Sequence, residues 1–401
     1  MKIDPTSKYN SIRDLEISDK KVLVRVDFNV PLDNGEVSSD VRIRKALPTI
    51  EYLKDGGAKV ILMSHLGRPG GKEVPELRMD PVADSLSHLL GDPVKKMDDC
   101  IGEEVLEASQ ALEQGEVMLL ENTRFHEGEK KNSRDFARSL SKVGDMFVND
   151  AFGTVHRKHA STYGVAEFLE SAAGLLVLEE IKGLSPALED PKHPFIAILG
   201  GKKASSKIGA LRDMMERVDI FLIGGALAFT FLNAKGYMVG DSVVDNSMVD
   251  EVRDFLEEAK ENNLEVVLPI DAKIAKEFSE EGEIKITRAE KIPPGWMGLD
   301  IGPATIKKFS EEIDRAEMVV WAGPLGGFEL ETFREGTREI AETLAEASSY
   351  RIIGGGETGA AVSKLGLAEK MDHVSTGGGA CLNYLRGKEL PALEILKHHL
   401  D

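Results

Sequence analysis

The sequence predicts an α/β protein made of two doubly wound parallel sheets joined by a helix and a hinge. Three observations lead there. Strand-like runs alternate with amphipathic helical patterns from one end of the chain to the other. The runs are near-continuous in Val, Ile, Leu and Met, as strands buried on both faces must be. The chain has 401 residues, more than one ordinary core accommodates. Alternation of this kind favours parallel strands with right-handed crossovers.

In the first half, strands are expected at Lys21–Asp27, Ala58–Ser64, Glu116–Glu121 and Asp145–Asn149, with helices such as Val41–Lys54 and Pro81–Leu90 between them. In the second half, strands are expected at Phe195–Leu199, Asp219–Ile223, Glu265–Leu268, Glu317–Trp321 and Arg351–Ile353. Helical patterns there cover Ser205–Arg217, Ser247–Glu261, Arg334–Ala347 and Thr358–Leu365. No short-period repeat is present. The break between halves is placed in Ala172–Pro194, where an apolar helix-like start meets Pro186, Pro191 and Pro194. The expected organisation is a first domain over 1–175, an interdomain helix and hinge over 176–194, a second domain over 195–385 and a tail over 386–401 packing back on the first domain.

Hydrophobic residues at 42% and charged residues at 30% describe a soluble globular protein. The net charge of -19 disfavours nonspecific nucleic-acid binding, which runs on basic patches. An anionic ligand would need Lys and Arg concentrated in one place against that field. Cys100 and Cys381 have no metal-like spacing and suit a reducing compartment. His156, His159 and the pair His398-His399 lack suitably spaced carboxylate or Cys partners, so no zinc site is read. No basic-then-apolar signal segment opens the chain. The longest apolar run, Ile220 to Leu232, is interrupted by Gly224 and Gly225 and is too short to span a bilayer. A cytoplasmic protein with no membrane partner is expected.

Two segments open the chemistry: Val24-Arg25-Val26-Asp27-Phe28-Asn29-Val30-Pro31 and Met63-Ser64-His65-Leu66-Gly67-Arg68-Pro69. Each reads as a buried strand ending in polar groups and a turn. Ligands of open α/β sheets bind past the carboxyl ends of the strands. Asp27, Asn29, His65 and Arg68 are therefore expected to face one crevice, where together they suit a small hydroxylated acid. Asp27 and Asn29 fit equally well a turn held by side-chain-to-backbone bonds. Further basic residues, Arg42, Arg124 and Arg157, also sit at or after strand ends. Any one alone fits a solvated surface arginine. As a set on the ligand-binding face they match phosphate and carboxylate, which Arg forks grip with two bonds.

The second half carries glycine where strands end: Leu199-Gly200-Gly201-Lys202-Lys203, Ile223-Gly224-Gly225-Ala226, Gly354-Gly355-Gly356-Glu357-Thr358-Gly359 and Ser375-Thr376-Gly377-Gly378-Gly379-Ala380. Glycine lets backbone N–H groups approach phosphates, and a helix start adds positive potential. Lys203 and Lys207, four apart, are expected on one helical face beside the first cluster. Such a pair reads either as a solvated surface or as a phosphate grip. No Walker A pattern occurs. Gly354-x-Gly356-x-x-Gly359 satisfies the dinucleotide pattern, so a nicotinamide dehydrogenase is the rival reading. Its acidic partner is missing, because Asp372 precedes the run His373-Val374-Ser375 instead of following it. A nucleotide-binding protein without activity is a third reading.

With these motifs in view, the chain resembles the phosphoglycerate kinase family over nearly its whole length. The resemblance rests on the two opening motifs and Gly200-Gly201-x-Lys203. It continues in Gly298-Leu299-Asp300-Ile301-Gly302-Pro303, Gly323-Pro324-Leu325-Gly326-x-Phe328-Glu329, Gly354-Gly355-Gly356 and Ser375-Thr376-Gly377-Gly378-Gly379. It implies two Rossmann-like domains, the first holding the glycerate and the second holding nucleotide. It implies that a phosphoryl group passes reversibly between 1,3-bisphosphoglycerate and MgADP, giving 3-phosphoglycerate and MgATP, in line and after domain closure. Either a monomer or a homodimer fits.

The resemblance implies that Asp27, Phe28, Asn29, Arg42, His65, Leu66, Gly67, Arg68, Arg124 and Arg157 bind the glycerate. Arg42 is matched by its distance to Pro48, with Arg44 as the other register. Gly200, Gly201, Lys203, Lys207, Gly224, Gly298, Pro324, Glu329, Gly355, Gly356, Glu357 and Thr358 are implied nucleotide positions. Arg42, Lys203, Gly355 and Gly378 are implied to meet the moving phosphoryl group, with Gly377 beside them. Three departures stand out. Glu357 occupies the place of the usual Asp that serves nucleotide-bound Mg2+, Ala322 that of an Asn before Gly-Pro, and Lys202 that of a small residue.

Overall fold

The structure, a computed structural model, describes residues 4–398. His399 of the terminal histidine pair lies outside them. The chain divides into two compact units, one running to Lys182 and rejoined by the segment from Glu389, the other covering Gly183–Lys388.

The first unit contains strands β1 (Lys21–Arg25), β2 (Leu32–Asp33), β3 (Glu36–Val37), β4 (Lys59–Met63), β5 (Val94–Lys96), β6 (Val117–Leu119), β7 (Met146–Asn149) and β8 (Glu170–Ala173). Its helices are α1 (Val41–Asp55), α2 (Asp80–Leu90), α3 (Glu103–Gln110), the single turn α4 (Glu127–Lys130) and α5 (Arg134–Ser141). Strands β2 and β3 form a small hairpin. The other six make one parallel sheet in the order β5-β6-β4-β1-β7-β8.

Alternation along the strands explains why both faces are covered. Val22, Val24, Val60, Leu62 and Val117 pack with Ile43, Ile50 and Leu53 of α1 and Val82 and Leu86 of α2. Leu23, Ile61, Met63, Met118 and Phe147 point the other way, onto Val105 of α3 and Phe136 and Leu140 of α5. Successive side chains of a strand leave on opposite faces, so a continuous apolar run feeds two cores. The C-terminal segment, with helix α14 (Pro391–Glu394), joins this unit. Lys397 bridges Tyr9, and Ala392 N–H donates to the Val155 carbonyl at 3.1 Å.

Helix α6 (Leu175–Glu189) runs unbroken through Pro186, and the division between units at Lys182 falls inside it. By sequence Pro186 belongs to the expected break between domains. The helix absorbs it.

The second unit adds β9 (Phe195–Leu199), β10 (Ile220–Ile223), β11 (Met238–Val239), β12 (Glu265–Val267), β13 (Asp271–Ala275), β14 (Lys285–Arg288), β15 (Lys291–Ile292), β16 (Met297–Ile301), β17 (Met318–Ala322), β18 (Tyr350–Gly354) and β19 (His373–Val374). Six of these form a parallel sheet in the order β12-β10-β9-β17-β18-β19. Its helices are α7 (Ile208–Met214), α8 (Gly225–Ala234), α9 (Val249–Glu261), α10 (Pro303–Ile313), α11 (Glu335–Glu346), α12 (Gly356–Lys364) and α13 (Gly379–Leu385). Ile196, Ile198, Val319 and Trp321 bury one face against Phe309 of α10 and Ile340 and Leu344 of α11.

Parallel sheets alone do not describe this unit. Strands β14, β13 and β16 form an antiparallel sheet, which with α8 encloses a separate small core of Phe229, Leu232, Ile274 and Trp296. The three strands are partly exposed, with β14 exposed along most of its length. They therefore lack the continuous apolar runs that mark the other strands. Among the described residues, no helix is long and apolar enough to cross a membrane.

Candidate active site

In a doubly wound sheet the binding crevice opens where the chain reverses its direction of winding, at the carboxyl ends of the strands. In the first unit this lies beside β1, between β4 and β7. The turns that leave β1, β4 and β6 are sewn together there. Asn29 Oδ1 accepts from Gly67 N–H at 2.8 Å, and Phe28 N–H donates to Ser64 Oγ at 2.9 Å. Asn122 Oδ1 accepts from Leu66 N–H at 3.1 Å, while its Nδ2 donates to the Leu66 carbonyl at 2.7 Å. Arg124 Nη1 donates to the Gly67 carbonyl at 2.7 Å. Arg42 reaches back from α1 to Asp27 Oδ2 at 2.8 Å. Arg44 pairs outward with Asp40 at 2.7 Å instead.

Arg68, Arg124 and Arg157 line one cavity of about 280 Å³ together with Gly70, Lys130 and His159. Arg68 and Arg157 have no carboxylate partner among the described residues, and Arg124 Nε is buried without a hydrogen bond. Burial, then Arg157 and Arg25, pulls Arg124 down to about 10. The three histidines nearby carry no charge near neutrality. His65 lies well below its usual value, through burial and then Arg25, Arg124, Arg157 and Arg42. His156 is lowered to about 4 by burial and then Arg157. His159 is lowered to about 4 by burial and then Arg124, Arg157, Arg25 and Lys130. The site therefore concentrates guanidinium charge with little to neutralise it, a demand that a bound anion satisfies.

Several residues here escape a reading of the sequence. Arg25 closes the apolar run Val22-Leu23-Val24 at the end of β1 and is 1% exposed. Its partners, His65 and Ser161, are 40 and 136 residues away in sequence. Glu129 and Lys130 belong to a charged run that reads as surface. In the fold Glu129 turns inward to Ser161, while Lys130 edges the cavity.

In the second unit the reversal lies between β9 and β17. Their carboxyl ends meet backbone to backbone. Gly200 N–H donates to the Ala322 carbonyl at 3.1 Å, and Gly201 N–H to the Pro324 carbonyl at 2.9 Å. A Cβ on Gly200 would lie 2.1 Å from the Pro324 carbonyl oxygen, so no other residue fits. Thr358 Oγ1 accepts from Gly323 N–H at 2.6 Å and ties in the loop after β18. Helices α8, α12 and α13 begin at Gly224, Gly355 and Gly378, each the residue just before its first turn. Around Gly356 and Gly378 there is open space, so their backbone is reachable. Gly298 lies against Phe229, where a Cβ would come within 2.0 Å of the ring.

The two lysines do not share a helical face. Lys203 is extended at φ -111° and ψ 116°, and Lys207, at φ -122° and ψ -29°, precedes the start of α7. A short 3-10 turn, Ala204–Ser206, separates them. Lys203 is exposed. Lys207 is folded inward, its Nζ donating to the Ala322 carbonyl at 3.3 Å. Burial lowers its pKa, and the Glu357 carboxylate opposes that shift. Glu357 is exposed on the first turn of α12. Glu329 pairs with the unusual Lys202 at 3.8 Å, an exposed contact of little energetic weight.

Two further placements bear on alternatives. Asp372 accepts from Arg351 N–H at 2.9 Å and Arg351 Nε at 2.8 Å, at the amino end of β18. It is thus at the wrong end of the sheet for a nucleotide ribose, against a dinucleotide fingerprint. Asp99, Cys100 and His126 come together although their spacing gives no sign of it. There His126 Nε2 meets Asp99 at 2.6 Å and the Cys100 thiol donates to the Glu121 carbonyl at 2.8 Å. Cys100 and Cys381 are buried and not joined in a disulfide.

Comparison with known proteins identifies the family. A sequence profile of the phosphoglycerate kinase family matches residues 12–388. A phosphoglycerate kinase of Dictyoglomus turgidum is 51% identical over 387 residues, covering 96% of this chain and 98% of the relative. One from Moorella thermoacetica is 50% identical over 386 residues, with the same coverage of 96% and 98%. Among solved structures, phosphoglycerate kinase from Coxiella burnetii superposes with a TM-score of 0.85 at 39% identity, over 97% of this chain and 98% of the other. The Pyrococcus horikoshii OT3 enzyme gives 0.87 at 33% identity, over 96% and 98%. This chain belongs to the phosphoglycerate kinase family.

Proposed function

We propose that the arginine crevice of the first unit holds the glycerate and that the glycine-rich strand ends of the second hold the nucleotide. The chain is a glycolytic phosphotransferase. In the direction of ATP formation, an ionised β-phosphate oxygen of ADP attacks the acyl phosphorus of 1,3-bisphosphoglycerate. A P–O bond to ADP forms, the acyl-phosphate P–O bond breaks, and the carboxylate of 3-phosphoglycerate leaves. No proton changes hands at the nucleophile, so no protein base is assigned. The work is placement and neutralisation of spread negative charge. Transfer follows domain closure, which keeps water from the acyl phosphate.

The observation that carries this reading is the uncompensated cationic cavity of Arg68, Arg124 and Arg157. Asp27 and Asn29 suit the hydroxyl of the glycerate, and Arg42, held at Asp27, its carboxylate or acyl phosphate end. Lys203 and the backbone at Gly355 and Gly378 would meet the phosphoryl group in transit, with Lys207 gripping the nucleotide. Magnesium fits a site of this kind. Glu357 offers one exposed hard oxygen beside a helix start, and such an ion keeps water and phosphate oxygens as its other ligands. Bound with the nucleotide, Mg2+ would neutralise phosphate charge. We place the enzyme in the cytoplasm, in keeping with two buried thiols and no disulfide.

The test is a coupled assay with 3-phosphoglycerate and MgATP. Magnesium-dependent, reversible turnover is expected. A folded, magnesium-replete preparation without turnover rejects the proposal, and tight NAD binding in its place would revive the dehydrogenase reading.

A further inference from the structure

We propose that Arg25 is a positioning residue that fixes the single proton of His65 on Nε2. The inference rests on the reading of the first unit as the glycerate site. Arg25 Nη2 and His65 Nδ1 are 2.9 Å apart. A guanidinium has donors and no acceptor, so this bond runs one way: Arg25 donates and Nδ1 accepts. An imidazole whose Nδ1 accepts carries no charge and has its one N–H at Nε2. That N–H makes no hydrogen bond among the described residues. His65 is left as a neutral, directed donor beside the arginines of the crevice.

Arg25 is itself held in one orientation. Its Nε donates to Ser161 Oγ at 2.9 Å, and its Nη1 donates to the Val26 carbonyl. Ser161 passes the direction on: its hydroxyl donates to Glu129 Oε1 at 2.6 Å, and its N–H to Oε2 at 2.9 Å. Every proton in the line from His65 through Arg25 and Ser161 to Glu129 is thereby assigned. The four side chains are 0 to 3% exposed, so water does not compete for these bonds. Burial pulls the Arg25 guanidinium down, while Glu129 and then Asp27 favour its charged form.

The groups around His65 agree with a neutral ring. Arg25, Arg42, Arg124 and Arg157 oppose its protonation. Asp27 Oδ1 stands 3.9 Å from Nδ1, and its other oxygen is taken by Arg42 at 2.8 Å. Placing Nδ1 on Arg25 thus settles which end of the ring serves a ligand. An imidazolium here would add one more cation to this group. A neutral Nε2–H adds direction alone.

The decisive measurement uses the whole protein labelled with 15N-histidine, with His65 assigned through His65→Gln. Long-range proton–nitrogen spectra are recorded between about pH 5 and 8, the interval that spans the ordinary histidine value near 6.5. The wild type should show the Nε2–H tautomer throughout, without titrating. In Arg25→Met the ring should lose that fixed form and titrate, and the KM for 3-phosphoglycerate should rise roughly tenfold with the KM for ATP unchanged. A wild-type His65 that is charged at neutral pH, or protonated on Nδ1, overturns the proposal without requiring any variant to fold. An unchanged tautomer in a folded Arg25→Met also overturns it. A wild type with the expected spectrum that binds no 3-phosphoglycerate supports the tautomer assignment and rejects the function given to the site.

Discussion

The two units share a doubly wound architecture and present different chemistry at their strand ends. The first presents side chains: guanidinium groups, an imidazole, an amide and a carboxylate, converging from turns joined by hydrogen bonds. The second presents mostly main chain: glycines at strand ends and helix starts, with lysines at the margin. A small hydroxylated acid has few atoms, each needing its own partner, so side chains with fixed geometry suit it. A polyphosphate has many equivalent oxygens, and backbone N–H groups at helix starts suit those. On the proposed assignment, two doubly wound six-stranded sheets of different strand order serve side-chain recognition in one half and main-chain recognition in the other.

The comparison predicts that transition-state stabilisation sits in the second unit's margin. Lys203→Ala should lower kcat by on the order of 10² or more, as loss of one preorganised donor does. Ligand affinities should change little, because Lys203 is extended and exposed and its ammonium has no hydrogen bond or ion pair among the described residues. Lys207→Ala, which removes an inward grip, should mainly weaken nucleotide binding. Steady-state kinetics with separate binding measurements decide between them, and the reverse pattern breaks the assignment.

Next in size, Arg68→Ala or Arg157→Ala should weaken 3-phosphoglycerate binding by roughly 1.5–3 kcal/mol and leave ADP binding unchanged. Calorimetry on each ligand alone reads this out. Equal losses for both ligands would erase the division of labour between units.

A smaller effect is expected from Glu357→Gln, which should raise the magnesium concentration for half-maximal activity several-fold. Removing one anionic oxygen weakens a hard-cation site. An unchanged magnesium dependence would leave the ion to phosphates and water.

The last prediction concerns stability. Among the described residues each unit buries one aspartate: burial raises Asp150 to about 8 and Asp300 to about 7, both from 3.8. In each case the folded value exceeds the unfolded one. The native state keeps its proton where the unfolded chain has lost it. This stability is full below 3.8 and is lost as pH rises through about 8 for Asp150 and about 7 for Asp300. Asparagine keeps a carbonyl acceptor without a charge to bury. Asp150→Asn and Asp300→Asn should therefore gain melting temperature relative to wild type as pH rises from about 4 to 8. The gain should level off at the lower pH for Asp300→Asn. A pH-independent difference would show that neither aspartate carries a proton in the fold.

Much of this was legible in the sequence, for physical reasons that also mark where legibility stops. Strands buried on both faces need unbroken apolar runs, so β1, β4, β9 and β17 stand out, and so do the polar groups just past their ends. Strand β14, exposed along most of its length, gives no such signal. Pro186 reads as a stop, yet tertiary packing carries α6 past it. Asp27, His65 and Arg68 are conspicuous because each follows a strand. Arg25 is silent because its meaning lies in Ser161 and Glu129, which only the fold brings near. The inward turn of Lys207 depends on a 3-10 turn that residue spacing does not encode.

The meeting of strand ends at Gly200 has a bearing on protein engineering. With the Pro324 carbonyl 2.1 Å from where a Cβ would stand, that position has a single viable letter. A library aimed at new nucleotide specificity would spend its diversity there on unfolded variants. Phe229 presents a ring where Gly298 lies flat against it, so this pair can be varied together, trading ring for side chain at constant volume. If the nucleotide lies where proposed, the floor of its site is closed to selection and its walls are where new specificities can be written.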